Sequence, residues 1–142
     1  MDVIIREACK ADRDRIAQIF MDCRRRDFSW LRPGAMSLDD FDDALGNERQ
    51  FVAITAERTM CGFLSLWEPV CFIHYLFVHP EYQGFHVGNR LVEHLFSVYQ
   101  RPYRLKCLDM NRRALKYYRR EGWVEVGRGV DKDGGHRVLE LS

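Results

Sequence analysis

Hydrophobic positions along this chain switch their spacing several times between alternation and a helical repeat, and each switch marks an element. Val3-Ile4-Ile5 is a β-branched run that predicts a first strand. Asp12 is placed to cap a helix in which Ile16, Ile19, Phe20 and Cys23 share one face. Arg24, Arg25 and Arg26 near its end suit the negative pole of the helix dipole. Pro33-Gly34 marks a loop, and Ser37 caps a short helix from Leu38 to Leu45 that Gly46-Asn47 stops. Gln50–Ala56 and Met60–Trp67 are β-rich runs joined by Glu57-Arg58-Thr59, an antiparallel hairpin. Val70–Val78 is the most hydrophobic stretch, interrupted at His74, and predicts a central strand buried on both faces. Gly88–Gln100 carries the stripe Leu91, Leu95 and Val98 or Tyr99, widened by Val92 and Phe96. Tyr103–Cys107 predicts a strand, and Asn111–Glu121 a helix that Gly122 ends. Val124–Val130 and Arg137–Leu141 close the chain as a hairpin. The order βααβββαβαββ predicts an α/β (α+β) class, with a mixed sheet of about seven strands covered by helices.

The 142 residues show no repeats, low-complexity runs or linkers, so one domain, 1–142, is expected. With 22 basic and 21 acidic residues there is no basic excess to hold a nucleic-acid backbone. No apolar run is long enough to cross a bilayer, and the first seven residues do not resemble a signal peptide. Cys9, Cys23, Cys61, Cys71 and Cys107 form no CxxC and no zinc-like spacing, so free thiols, no metal and a cytoplasmic location are expected. Residues 70–142 carry 12 basic and 8 acidic side chains against 10 and 13 in residues 1–69, which makes the second half the better host for an anion.

Within that half, a buried strand runs through His79-Pro80-Glu81-Tyr82-Gln83-Gly84-Phe85-His86-Val87-Gly88-Asn89 into a helix. The first amides of a helix have no internal partners and sit at the positive pole of its dipole, a setting that suits a pyrophosphate. Gly84 lets backbone approach a ligand, and Gly88 permits close packing. The loop contains neither GxGxxG nor GxxxxGK[ST], so taken alone it is equally a plain strand–helix turn.

Val78-x-Pro80-x-Tyr82-Gln83-Gly84, followed by Val87-Gly88-x-x-Leu91, resembles motif A of the GCN5-related N-acetyltransferase (GNAT) superfamily, Gln/Arg-x-x-Gly-x-Gly/Ala. Gln83 and Gly88 match its ends, while His86 stands where the middle glycine is usual. Asn111-x-x-Ala114-x-x-Tyr117-Tyr118-x-x-x-Gly122-Trp123 resembles a second family motif, and Ile5-Arg6-Glu7-Ala8 with Asp12 and Ile16 a third. The resemblance covers essentially the whole chain. It implies a mostly antiparallel sheet with helices on both faces, whose strands Val70–Val78 and Tyr103–Cys107 splay apart around acetyl-CoA.

By that resemblance the backbone of Leu76, Phe77 and Val78 bonds the pantetheine arm, with the amide of Phe77 or Val78 helping to hold the oxyanion. The amides of Gln83, Gly84, Phe85, His86, Val87, Gly88 and Asn89 hold the pyrophosphate. Asn111 contacts the cofactor arm, its alternative being a helix cap alone. Tyr118 matches the tyrosine that bonds the cofactor sulfur and protonates the departing thiolate, its alternative being a core side chain. Tyr117, where phenylalanine is usual, is expected in the core. The implied reaction is direct acetyl transfer from acetyl-CoA to a primary amine, on a small molecule or a protein, with no metal. Many relatives are dimers, so a homodimer is one expected assembly. The alternatives are transfer from another acyl-CoA, or a non-catalytic acyl-CoA sensor or interaction module.

An amine must shed a proton before it attacks, since roughly one alkylamine in a thousand is neutral at pH 7. Val70–Val78 holds no Asp or Glu, which leaves His74 and, beyond it, His79 as candidate bases. His74 is expected in phase with Leu76 and Val78. It resembles the second of the paired histidines of arylalkylamine acetyltransferases, with Phe72 at the first position. Its alternative is a hydrogen-bonded core histidine. Glu68 and Glu81 are weaker candidates, Cys107 reads as a strand thiol, and Asp39, Asp40, Asp42 and Asp43 form an acidic run that suits a cationic acceptor or is simply solvated.

Overall fold

Alternating and helical repeats give way to each other in the structure much as the sequence predicts. The computed structural model describes residues 2–27, 48–131 and 134–142. Strand β1 (Val3–Glu7) leads through a 3-10 turn (Lys10–Asp12) into α1 (Arg13–Asp27). Strands β2 (Arg49–Thr55), β3 (Met60–Trp67) and β4 (Phe72–Val78) follow. A 3-10 turn (Pro80–Tyr82) precedes α2 (Val87–Leu95), then come β5 (Tyr103–Leu108) and α3 (Arg112–Arg120). Strands β6 (Val124–Asp131) and β7 (Gly134–Leu141) close the chain. All seven strands form one sheet in the order β1-β2-β3-β4-β5-β7-β6. Among the described strands, β4 and β5 are the pair that runs parallel. The helix expected over Leu38–Leu45, the Pro33-Gly34 loop and the acidic run at Asp39, Asp40, Asp42 and Asp43 lie outside the described residues.

Alternation along the strands divides the interior into two clusters. Ile16, Ile19, Phe20 and Cys23 of α1 bury one helical face against Val52, Met60 and Phe63. Neighbouring strand positions, Phe51, Ala53, Leu64, Leu66 and Ile73, point the other way. They pack with Leu91 and Leu95 of α2 and with Leu115 of α3. Helices therefore cover both faces, as the patterning requires. Among the described residues no helix is long and apolar enough to cross a membrane.

Two elements are shorter than their hydrophobicity predicts. Strand β4 begins at Phe72, because Glu68–Val70 winds into a 3-10 turn and Cys71 takes a left-handed conformation at φ 49°. Helix α2 stops at Leu95, not Gln100. There the N–H groups of Val98 and Tyr99 turn onto the Leu95 carbonyl at 3.1 and 2.8 Å, and the Tyr103 hydroxyl donates to the Tyr99 carbonyl at 2.7 Å.

The start of α1 is held by an ion pair. Arg6 grips Asp12 with both amino groups, at 2.8 and 3.0 Å, and the Cys9 N–H donates to the same carboxylate at 2.8 Å. The Arg6 hydrogen bonds, opposed by burial, hold the Asp12 carboxyl at about 2, below its ordinary 3.8. A carboxylate with a lowered folded pKa stabilises the fold above its unfolded value and loses that contribution as pH falls through the folded one. Arg6 is half exposed, which trims the gain to about 1–2 kcal/mol. Asp12→Asn is therefore expected to cost about that much at neutral pH and to flatten the stability curve between roughly pH 4 and pH 2, as urea titrations across that range would show.

Candidate active site

The opening in the sheet follows from where one ladder ends. Strands β4 and β5 pair only at Phe72 with Arg104 and Ile73 with Leu105. Beyond Ile73 the two strands diverge and their facing backbone groups have no ladder to join. On the other side of β4, the His79 N–H bonds the Cys61 carbonyl at 2.8 Å. Bonded pairs alternate in an antiparallel ladder, so Phe77 with Phe63 is the next bonded pair. The backbone of Leu76 and Val78 thus faces the opening, whereas Phe77, expected there too, is committed to β3. The Val78 carbonyl already accepts from Gln83 Nε2 at 3.0 Å and Cys23 Sγ at 3.2 Å. Gln83 therefore fastens the loop to the end of β4.

The loop delivers free amides at the start of α2. The helix's first bond is from the Arg90 N–H to the His86 carbonyl at 3.1 Å, so the amides of Val87, Gly88 and Asn89 lack helical partners. Gly84 sits at φ 89°. Nothing lies within 4 Å of where a side-chain carbon on it would stand. A side-chain carbon on Gly88 would come within 3.2 Å of the Tyr117 hydroxyl, so the small residue lets α2 and α3 approach. Tyr117 is more than core: its hydroxyl donates to Asn89 Oδ1, and Asn89 Nδ2 donates to Glu121 at 3.2 Å. Below this junction the exposed side of α3 carries Arg112, Arg113, Lys116, Arg119 and Arg120.

His86 explains why glycine is usual at its position. It takes φ 63° and ψ 23°, the left-handed region, and its side chain is exposed and makes no cap bond. Left-handed backbone costs an L-residue about 1–2 kcal/mol, partly offset by the extra freedom glycine has when unfolded. His86→Gly is expected to stabilise the fold by about 0.5–1 kcal/mol, raising the melting temperature by roughly 2–4 °C in a thermal scan.

On the far side of the opening, Asn111 caps α3, its Oδ1 accepting from the Ala114 N–H at 3.3 Å. Tyr118 packs within the α2-side cluster, its ring edge-on to Tyr117 at 5.3 Å and Trp123 at 5.8 Å. Its hydroxyl makes no hydrogen bond among the described residues. Burial pushes its pKa well above the ordinary 10, so the phenol keeps its proton. Burial likewise pushes the Cys107 thiol up to about 12, which argues against a nucleophilic thiolate.

His74 does not share the face of Leu76 and Val78. Ser65 opposes Tyr75 and Leu66 opposes Ile73, so His74 is the extra residue of a β-bulge. The bulge breaks the alternation. Leu76 and Val78 pack toward α2, while the His74 ring stacks at 4.3 Å on Tyr75, which packs toward α1. Tyr118 and His74 thus stand on opposite faces of the sheet. His74 Nδ1 lies 2.7 Å from Glu48 Oε2, and the Ser65 hydroxyl donates to Glu48 Oε1 at 2.7 Å. Gln50 Nε2 donates to the Glu48 carbonyl at 2.9 Å and to Ser65 Oγ at 3.4 Å. Glu48 and Ser65 carry no local signal in the sequence, since only strand register brings them to His74.

Two of the other candidate bases, His79 and Glu68, are engaged in the structure. His79 accepts the Glu81 N–H at Nδ1 and bonds Asp22 at 3.3 Å through Nε2, tying β4 to α1. Glu68 binds Tyr99 at 2.8 Å and Arg49 at 3.4 Å. Among the described residues, no group of three or more His, Cys, Asp or Glu side chains is placed to hold a metal ion.

Splayed parallel strands followed by a turn rich in free amides define an acyltransferase-like fold. The family model described as "Acetyltransferase (GNAT) family" matches residues 13–123, and the chain belongs to that family. The solution structure of apo YjaB from Escherichia coli is similar, with TM-score 0.85 and 23% identity over 99% of this chain and 97% of that one. A GCN5-related N-acetyltransferase from Rhodopseudomonas palustris has TM-score 0.82 and 21% identity over 100% and 96%. PaiA N-acetyltransferase from Thermoplasma acidophilum, solved with coenzyme A, has TM-score 0.78 and 14% identity over 99% and 100%. The search of curated proteins finds no match.

Proposed function

We propose that the chain moves an acetyl group from acetyl-CoA directly to a primary amine of a small molecule or protein. The observation that carries this reading is the opening between β4 and β5, which ends at the free amides of Val87, Gly88 and Asn89. The local residues fit the cofactor. Unclaimed backbone at Leu76 and the Val78 N–H suits an extended amide-bearing arm. The space over Gly84 and the helix start suit a pyrophosphate. The basic side of α3 suits further phosphate charge, and Asn111 caps that helix just after β5.

Acetyl-CoA supplies an activated acetyl group as a thioester. His74 accepts the proton that the amine releases as it attacks. The Val78 N–H, turned into the opening, steadies the negative oxygen that develops on the carbonyl. Tyr118 offers its O–H to the departing sulfur. The family membership, and a coenzyme A complex in the similar PaiA structure, support this reading. Titration calorimetry with acetyl-CoA, followed by thiol release across an amine library, tests it. One-to-one uptake and release of coenzyme A with at least one amine is the expected result. Absence of uptake would sink the reading. Uptake without release across a broad panel would favour an acyl-CoA sensor.

A further inference from the structure

We infer that Glu48 is a positioning residue that holds the His74 ring with its proton on Nδ1 and its lone pair on Nε2; the catalytic value of this rests on His74 being the base. The directions of the surrounding hydrogen bonds carry the inference. A backbone carbonyl only accepts, so the Gln50 amide nitrogen must be the atom that faces the Glu48 carbonyl at 2.9 Å. That nitrogen also donates to Ser65 Oγ at 3.4 Å, which turns the Ser65 O–H toward Glu48 Oε1 at 2.7 Å. One carboxylate oxygen is therefore met by a donor. The other, Oε2, meets Nδ1 of His74 at 2.7 Å.

The Glu48 side chain is 7% exposed, against 39% for His74, so the carboxylate lies beneath the ring. A buried carboxylate is costly unless donors satisfy it, and among the described residues those that meet its oxygens are the Ser65 hydroxyl and Nδ1–H of His74. Stacking on Tyr75, with 10° between the rings, opposes rotation of the imidazole about its own bond. Nε2 has no partner among the described residues and points away from the carboxylate. A base needs that bare nitrogen, and the bulge at His74 is what lifts the ring out of the ladder to present it.

The test reads the ring itself. Long-range nitrogen–proton correlation spectra of the full chain, at a pH where the ring is neutral, should show protonated Nδ1 and bare Nε2 at His74. Glu48→Gln should move the population toward the Nε2–H form and lower kcat by about tenfold or more, with KM for acetyl-CoA changed less than about twofold. A parent ring carrying its proton on Nε2, or a Glu48→Gln chain with the parent's kcat, would overturn the inference. The parent spectrum needs no variant, so it decides the tautomer even if Glu48→Gln does not fold. If His74→Ala turned over like the parent, the base reading would fail by itself, and the spectra would still report what Glu48 does to the ring.

Discussion

Replacing His74 by alanine is expected to slow turnover about 10³-fold at neutral pH and to leave acetyl-CoA uptake within about twofold. The size of the loss comes from the amine. With an ammonium pKa near ~10.4, an amine at pH 7 is neutral in roughly one molecule in a thousand, and without a base only that fraction attacks. Each unit of pH then multiplies the reactive form about tenfold. The variant's kcat/KM should therefore climb with a slope near one in a logarithmic plot from about pH 7 to pH 9.5, and the gap to the parent should narrow. A parent and a variant with parallel profiles would remove His74 from the proton path. The geometry favours the larger effect. The ring is stacked at 4.3 Å on Tyr75 and met by Glu48 at 2.7 Å on Nδ1, which leaves Nε2 for the amine proton. His79 is tied to Asp22, and Glu68 to Arg49 and Tyr99.

Periodicity located the elements because local sequence controls them. The Met60–Trp67 strand has the bounds its β-rich run predicts, and the α1 stripe from Ile16 to Cys23 is the buried face of that helix. The bounds differ where a tight turn interrupts a hydrophobic run. Val70 and Cys71 are hydrophobic enough for a strand, but Glu68–Val70, with Pro69 inside it, winds into a 3-10 turn and Cys71 turns left-handed. Helix α2 ends in turn bonds from Val98 and Tyr99 to the Leu95 carbonyl, beside the Tyr103 hydroxyl that the next strand brings to the Tyr99 carbonyl.

The same division runs through the candidate site. The loop from Gln83 to Asn89 was legible because its glycines and helix start are contiguous. His74 was legible as a residue but not as a geometry. Strict alternation places it with Leu76, whereas a bulge, which one sequence does not announce, puts it on the other face. Glu48 was invisible: it lies 26 residues from His74 and meets it only because β2, β3 and β4 stack in register. Residues that act through contact across a sheet leave no spacing to read.

Tyr118→Phe is expected to lower kcat about 10²-fold while the dissociation constant for acetyl-CoA moves less than twofold. The substitution removes only the hydroxyl. The ring contacts with Tyr117 and Trp123, at 5.3 and 5.8 Å, are those a phenylalanine also makes. The pKa of the phenol decides what that hydroxyl does. Burial holds it well above 10, whereas an ordinary thiol sits near ~8.5. Handing the proton fully to a thiolate of ordinary basicity would run uphill by at least ~1.5 units, about 2 kcal/mol, and by more the deeper the burial. The favourable role is therefore a hydrogen bond that strengthens as charge gathers on the sulfur and that water would otherwise supply. Two results follow. The parent's rate should show no alkaline loss from phenol ionisation below about pH 10. Acyl donors with a more acidic leaving thiol should be transferred by Tyr118→Phe with a smaller deficit than acetyl-CoA, because their sulfur needs less help to depart. An equal deficit for both kinds of donor would mean that Tyr118 contributes packing and not stabilisation of the leaving group.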